Sequence, residues 1–359
     1  MEQRRDGQRP SGWAGHPDEG RAVVRLRGPD DVVGILPWRL GFHPTESLVL
    51  VVLQGSRRRE RLVMRLDLPA PDDEPAVADE TAARAVQAGA DEVLVVVYTD
   101  EPGRDGDLPR CDLVDDLVGF LADADVDVPE AVLVRGGRRW SYLCAESGCC
   151  PPEGVPLPDL PTPATDAYAA EAVGRGTVVL PDRAALRRSV TPSDHAVAVA
   201  VRERAWDELD PLLTSRDLAA TSAGLLSRLR ARFARGQRDA PTSAEALLVA
   251  LGLRDTRARD ALMTAALDDD AAEVRDLLGQ VVRLVDDEVA APACTALGWL
   301  AYTSGEGALA LVAVERALRA EPGCTMARLL LGGIDGMVPP AALRDISRAV
   351  RADLAAGCP

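Results

Sequence analysis

Three cysteines fall within one short stretch, Cys144-x4-Cys149-Cys150. Thiolates are good ligands for zinc and for iron–sulfur clusters, and an ordered zinc site wants four nitrogen or sulfur ligands in a tetrahedron. Only three thiols are local, and adjacent cysteines rarely point at one ion together. A fourth ligand would come from farther off, with His43 or Cys111 as candidates. A metal held there could staple two parts of the chain together. Two other readings are open. The cysteines can be small apolar residues in a tight loop, or a reactive thiol set.

The second stretch with chemical potential is Gly41-Phe42-His43-Pro44-Thr45-Glu46-Ser47, a polar loop ahead of an apolar run. His43 has the chemistry of a base or metal ligand, Glu46 that of an acceptor, and Ser47 carries a hydroxyl. The plainer reading is that these groups hold the loop by local hydrogen bonds. The other histidines are His16 and His195, so histidine-dependent catalysis rests on His43 first. A site joining the His43 loop to the cysteine loop would make the protein an enzyme of unknown reaction. Trp140 and Tyr142 alternate with Arg139 and Ser141, so both aromatics share one strand face. They can stack a planar ligand or fill a core.

Strand and helix signals alternate up to the cysteine stretch, and helices dominate after it. Gly28-Pro29-Asp30-Asp31 opens a helix that Pro37 should bend or end. Ser47–Leu53 is nearly all apolar, as for a strand covered on both faces. Arg61–Leu68, Glu92–Tyr98, Ala131–Val134 and Trp140–Leu143 follow as strands, the last two flanking an Arg135-Gly136-Gly137-Arg138 hairpin turn. Ala22–Leu26 is a further strand candidate, and residues 76–90 and 108–124 read as helices. The expected fold is therefore a mixed sheet with packed helices over 21–150, a proline-rich linker over 151–164, and an all-helical domain over 165–359. Residues 1–20 are polar and rich in Gly, Pro and Arg, as in disordered segments.

An internal repeat lies near the C-terminus. Leu297-Gly298 recurs as Leu331-Gly332, and Leu297, Gly298, Ala301, Ala310, Val314, Ala317 and Pro322 fall at the spacings of a tetratricopeptide repeat. The segment 291–335 is thus expected to form a close helix pair suited to protein contact. The second copy breaks down at Gly336–Pro340.

Composition excludes several classes. The chain has no lysine, which removes P-loop, Schiff-base and kinase-type lysine chemistry. A net charge of −16 repels phosphate backbones and anionic lipid, so neither nucleic acid nor a membrane surface is an expected partner. No His-Glu-x-x-His or Gly-x-Ser-x-Gly occurs, and no apolar run is long enough to span a bilayer. The expected compartment is the cytoplasm, where thiols stay reduced.

The motifs Gly28-Pro29-Asp30-Asp31, Leu40-Gly41-Phe42-His43-Pro44 and Glu46-Ser47-Leu48-Val49 together resemble the DUF4192 family of bacteria. Arg65-Leu66-Asp67-Leu68-Pro69 and Trp140-Ser141-Tyr142-Leu143-Cys144 with Cys149-Cys150-Pro151 do so as well, as does the stretch from Ala308 to Leu330. The resemblance covers roughly residues 22–350. It implies membership and brings no activity, cofactor or catalytic residue with it. The leading expectation is a ligand- or partner-binding protein with a helical interaction domain.

Overall fold

A computed structural model describes residues 25–103, 106–144, 146–174, 176–213 and 218–356. The N-terminal segment 1–20 lies outside the described residues, as does most of the strand candidate at 22–26, whose described residues Arg25 and Leu26 are in no strand. The front half holds a mixed six-stranded sheet with packed helices, and the rear half is helical.

Helix α1 (Pro29–Leu40) precedes strand β1 (Ser47–Gln54), which turns into β2 (Arg59–Asp67). Then come α2 (Glu74–Gln87), β3 (Glu92–Tyr98), α3 (Cys111–Asp123), β4 (Asp127–Arg135), β5 (Arg138–Ser141) and β6 (Val155–Pro156). The order across the sheet is β2-β1-β3-β4-β5-β6. Strands β3 and β4 are parallel, joined through α3, and the other pairs are antiparallel.

The apolar run of β1 is central because both of its faces are covered. Leu48, Leu50 and Val52 meet Val93, Val95, Val97 and Leu133 beneath α2 and α3. Val49 and Val51 face the other way, with Val96, Tyr98 and Val132, against Val32, Val33, Leu36 and Leu40 of α1. From there one apolar core continues into the helical region.

Pro37 does not end α1. The helix runs on to Leu40 and stops at Gly41, whose φ of 77° gives a left-handed cap, with its N–H donated to the Pro37 carbonyl at 2.8 Å. An internal proline costs about 3 kcal/mol. Burial of Leu36 and Leu40 on either side returns about 1.5–3 kcal/mol each, enough to hold the last turn.

The acidic pair that opens α1 ties distant chain to the helix. Asp31 is buried and accepts from the Thr162 hydroxyl at 2.5 Å, while Asp30 accepts from Arg139 Nε at 2.5 Å. The proline-rich run is therefore fastened at both ends, by β6 pairing with β5 and by Thr162 on α1. Thr162→Val should cost about 1–3 kcal/mol in urea unfolding, because a buried carboxylate loses one of its donors and keeps the Arg27 N–H at 2.7 Å. A loss below about 0.5 kcal/mol would show that water replaces the hydroxyl.

The helical region contains α4 (Pro163–Gly174), α5 (Arg183–Arg188), α6 (Ala196–Leu213), α7 (Leu218–Ala234), α8 (Ser243–Gly252), α9 (Thr256–Met263) and α10 (Ala271–Val282). It closes with α11 (Asp287–Thr303), α12 (Gly307–Ala320), α13 (Thr325–Asp335) and α14 (Pro340–Ala355). Helices α11 and α12 form a hairpin that is tight at Gly298. A Cβ placed there would sit 2.9 Å from Val314 Cγ2 and 3.3 Å from the Ala310 carbonyl oxygen. Its repeat partner Gly332 meets nothing within 4 Å, so the second copy makes no such close approach. Gly298→Val should destabilise by about 1–3 kcal/mol through overpacking, whereas Gly332→Val should change stability far less, as urea midpoints would show.

Candidate metal centre

The cysteines sit on the loop between β5 and β6. Cys144 Sγ lies 3.3 Å from Cys149 Sγ, and the sulfurs of Cys144, Cys149 and Cys150 are all within 4.8 Å of one another. Adjacent cysteines do converge here, contrary to expectation. The cause is a tight turn in which the Glu146 carbonyl accepts from the N–H groups of both Cys149 (3.1 Å) and Cys150 (2.7 Å).

The two legs of the loop are clamped to the sheet. Trp140 Nε1 donates to the Pro152 carbonyl at 2.9 Å, and Arg138 donates to the carbonyls of Glu153 (2.7 Å) and Gly154 (2.8 Å). Tyr142 donates its hydroxyl to the Pro109 carbonyl at 2.7 Å, and burial raises its pKa further above the ordinary phenol value. Gly154, with φ of 77°, lies directly against the Trp140 ring, and the Arg135 guanidinium rests 5.0 Å from the ring centroid. Trp140 and Tyr142 do share one face, packed beside the core under α2 and α3. Their rings hold the cysteine loop, and contacts from Gly154 and Arg135 already occupy the Trp140 ring. Arg138 and Gly154 bound the same stretch, and their clamping role was not legible from the sequence.

Metal geometry can be tested against the sulfurs. Zinc–sulfur bonds of about 2.3 Å in a tetrahedron place sulfurs about 3.8 Å apart. Cys144 and Cys149, at 3.3 Å, are somewhat closer than that, and no pair in the cluster is more than 4.8 Å apart, a spacing compatible with three ligands to one ion. The thiols are already polarised unequally. The Glu146 backbone N–H and the neighbouring thiols lower the Cys144 pKa below its ordinary value. Bonding to Cys144 raises that of Cys149, and partial burial with the two neighbouring thiols pushes Cys150 up to about 12.

The other candidate residues lie elsewhere. Glu46, at a φ of 41°, accepts from the Thr99 hydroxyl (2.7 Å) and the Asp100 N–H (2.9 Å), and its carbonyl accepts from Leu68 N–H (3.2 Å). It therefore ties the ends of three strands. Ser47 is buried, donates to the Thr45 carbonyl (2.7 Å) and accepts from Arg65 Nε (2.8 Å). His43 is exposed, and its backbone N–H reaches the Leu180 carbonyl at 3.0 Å.

The sheet keeps the two loops apart. Strands β1 and β5 are three positions apart, about 14 Å at the usual strand spacing. Tyr142 lies opposite Ala131, which pairs with Val95 and through it with Leu50, three residues beyond Ser47, or about 10 Å along the strand. His43 precedes β1 and Cys144 follows β5, and these strands run in the same direction, so the loops lie toward opposite ends. The joint His43–cysteine site is not assembled. Neither His43 nor Cys111 belongs to the sulfur cluster, and the Cys111 thiol donates to the Leu108 carbonyl at 2.9 Å. All three clustered sulfurs come from one loop, so a metal there would not bridge the sheet to the helical region.

The family model described as a domain of unknown function, DUF4192, matches residues 29–341. The chain belongs to the DUF4192 family. No curated protein and no solved structure matches it. The match takes in α1, the whole sheet, the cysteine loop and the helices through the start of α14. In this DUF4192 chain the Gly-Pro-Asp-Asp motif anchors the segment after the cysteine loop, and the Trp-Ser-Tyr motif anchors the loop itself. Among the described residues no helix is long and apolar enough to cross a membrane.

Proposed function

We propose that this protein binds a thiophilic cation of the zinc class through Cys144, Cys149 and Cys150, in a cytoplasmic setting that keeps the thiols reduced. The observation that supports the reading is the convergence of three sulfurs within 4.8 Å on a loop clamped at both legs. Thiolate ligands favour zinc over hard cations. With three protein ligands the fourth position goes to water or to a ligand from outside the chain, the arrangement of an open zinc site.

The test is a titration of reduced, metal-free, full-length protein with cobalt(II) as a spectroscopic stand-in, followed by zinc competition. One ion per chain with sulfur-to-metal charge-transfer absorption is expected. Cys149→Ser should weaken binding by at least about 100-fold, since loss of even an outer-shell partner costs 10–100-fold. Absence of the charge-transfer band at equimolar cobalt would sink the reading.

The helical region is read as the protein-contact part of the molecule. Support comes from the tetratricopeptide spacings in 291–335 together with the close α11–α12 packing at Gly298. Beyond that hairpin, α13 and α14 expose Leu329 and Ile346, which suits an apolar peptide segment as partner. A Leu329→Asp, Ile346→Asp double variant should lose such a partner in affinity purification while keeping its helical circular dichroism. Equal partner recovery from both proteins would refute this assignment.

A further inference from the structure

We propose that Cys144 and Cys149 form a reversible disulfide that withdraws two of the three sulfurs from the metal. The disulfide stands on the cluster geometry alone, and its effect on metal rests on the zinc reading above. The two sulfurs are 3.3 Å apart, and a disulfide bond is about 2.05 Å long, so an approach of little more than 1 Å closes it. Five positions separate the two residues, and the turn at Glu146 already brings their side chains face to face.

One rival pairing is strained. Consecutive Cα atoms are about 3.8 Å apart, below the roughly 4.4–6.8 Å that an unstrained disulfide spans. A Cys149–Cys150 bond is therefore disfavoured. Cys149 is exposed, so a small reagent reaches the pair from solvent.

The oxidant is a low-molecular-weight disulfide, RSSR. One thiolate of the pair attacks it, forming a mixed disulfide and releasing RS⁻. The second thiolate then attacks the protein sulfur of that mixed disulfide and displaces the other RS⁻. Two protein thiols and one RSSR become one protein disulfide and two RSH. The two electrons end on the released thiols. A metal ion needs these sulfurs as thiolates, and in the disulfide neither is a thiolate, so the two states compete.

The experiment uses metal-free, full-length protein equilibrated with oxidised glutathione, quenched with a maleimide and mapped by peptide fragmentation. The expected result is a Cys144–Cys149 bond with the label on Cys150. Cys150→Ser should form the same bond and Cys144→Ser should not. Full labelling of all three cysteines, or a bond that includes Cys150, would overturn the assignment. A second arm measures zinc uptake before oxidation, after oxidation and after reduction with dithiothreitol. Loss and recovery of uptake support the competition, whereas unchanged uptake by the oxidised protein overturns it. A disulfide in a protein that takes no zinc even when reduced removes the zinc reading and leaves the bond assignment standing.

Discussion

Replacing Arg316 by alanine is expected to destabilise the protein by about 3–5 kcal/mol, because three buried carbonyls lose their donor at about 1–3 kcal/mol each. Arg316 on α12 has no exposed surface. Its guanidinium donates to the carbonyls of Val190 (2.5 Å), Val282 and Val285 (2.8 Å) and to the Asp287 carboxylate (3.0 Å). These acceptors belong to the turn after α5, the C-terminal end of α10, and the start of α11. One side chain thus satisfies carbonyls that the ends of α5 and α10 leave without intrahelical partners. Alanine would leave three buried acceptors and a carboxylate without their donor. Methionine should be nearly as damaging, because it restores volume and no hydrogen bonds. Lysine keeps the charge but lacks the planar fork, and should fall between. Urea unfolding of the three variants, with all losses under about 1 kcal/mol, would show that Arg316 does not join α5, α10 and α11.

Gly154→Ala should have the next largest effect, and it should act on stability and metal uptake together. The new methyl carbon would lie 2.4 Å from Trp140 Cε2 at a φ of 77°. Left-handed backbone costs a side chain about 1–2 kcal/mol, and overpacking adds about 1–3 kcal/mol. The expected loss is about 2–5 kcal/mol, with a change in tryptophan emission and weaker cobalt binding. Gly136→Ala is the control. Gly136 has a φ of 53° in the β4–β5 turn and nothing within 4 Å of its Cβ position, so it should show only the backbone cost. Equal losses in the two variants would mean that the Trp140 contact does not set the loop.

The sequence was most legible where the signal is local. Glu92–Tyr98 and the Arg135–Arg138 hairpin turn were read directly, because an apolar run bounded by polar residues and a Gly-Gly pair each specify structure with few competitors. That the helix runs past Pro37 to Gly41 was less legible, for the opposite reason. The burial that offsets the proline's cost comes from Leu36 and Leu40 packing on a distant sheet. The convergence of Cys149 and Cys150 was also hidden, since spacing alone cannot show that one carbonyl gathers both N–H groups. The separation of His43 from the sulfurs follows from strand order, which local patterns do not encode. Asp31 was legible as part of a helix start, but not as the residue that holds Thr162 from far along the chain.

The sheet margins carry a consequence for behaviour at high concentration. Strand β6 is short, and Pro156 has no N–H to offer a neighbouring molecule. On the opposite margin β2 presents exposed Arg59, Glu60 and Arg61. Both borders are thus unsuited to intermolecular strand addition. Light scattering of concentrated samples should rise when Pro156 is changed to valine and charges on β2 are removed, because a ribbon of stacked copies then becomes possible.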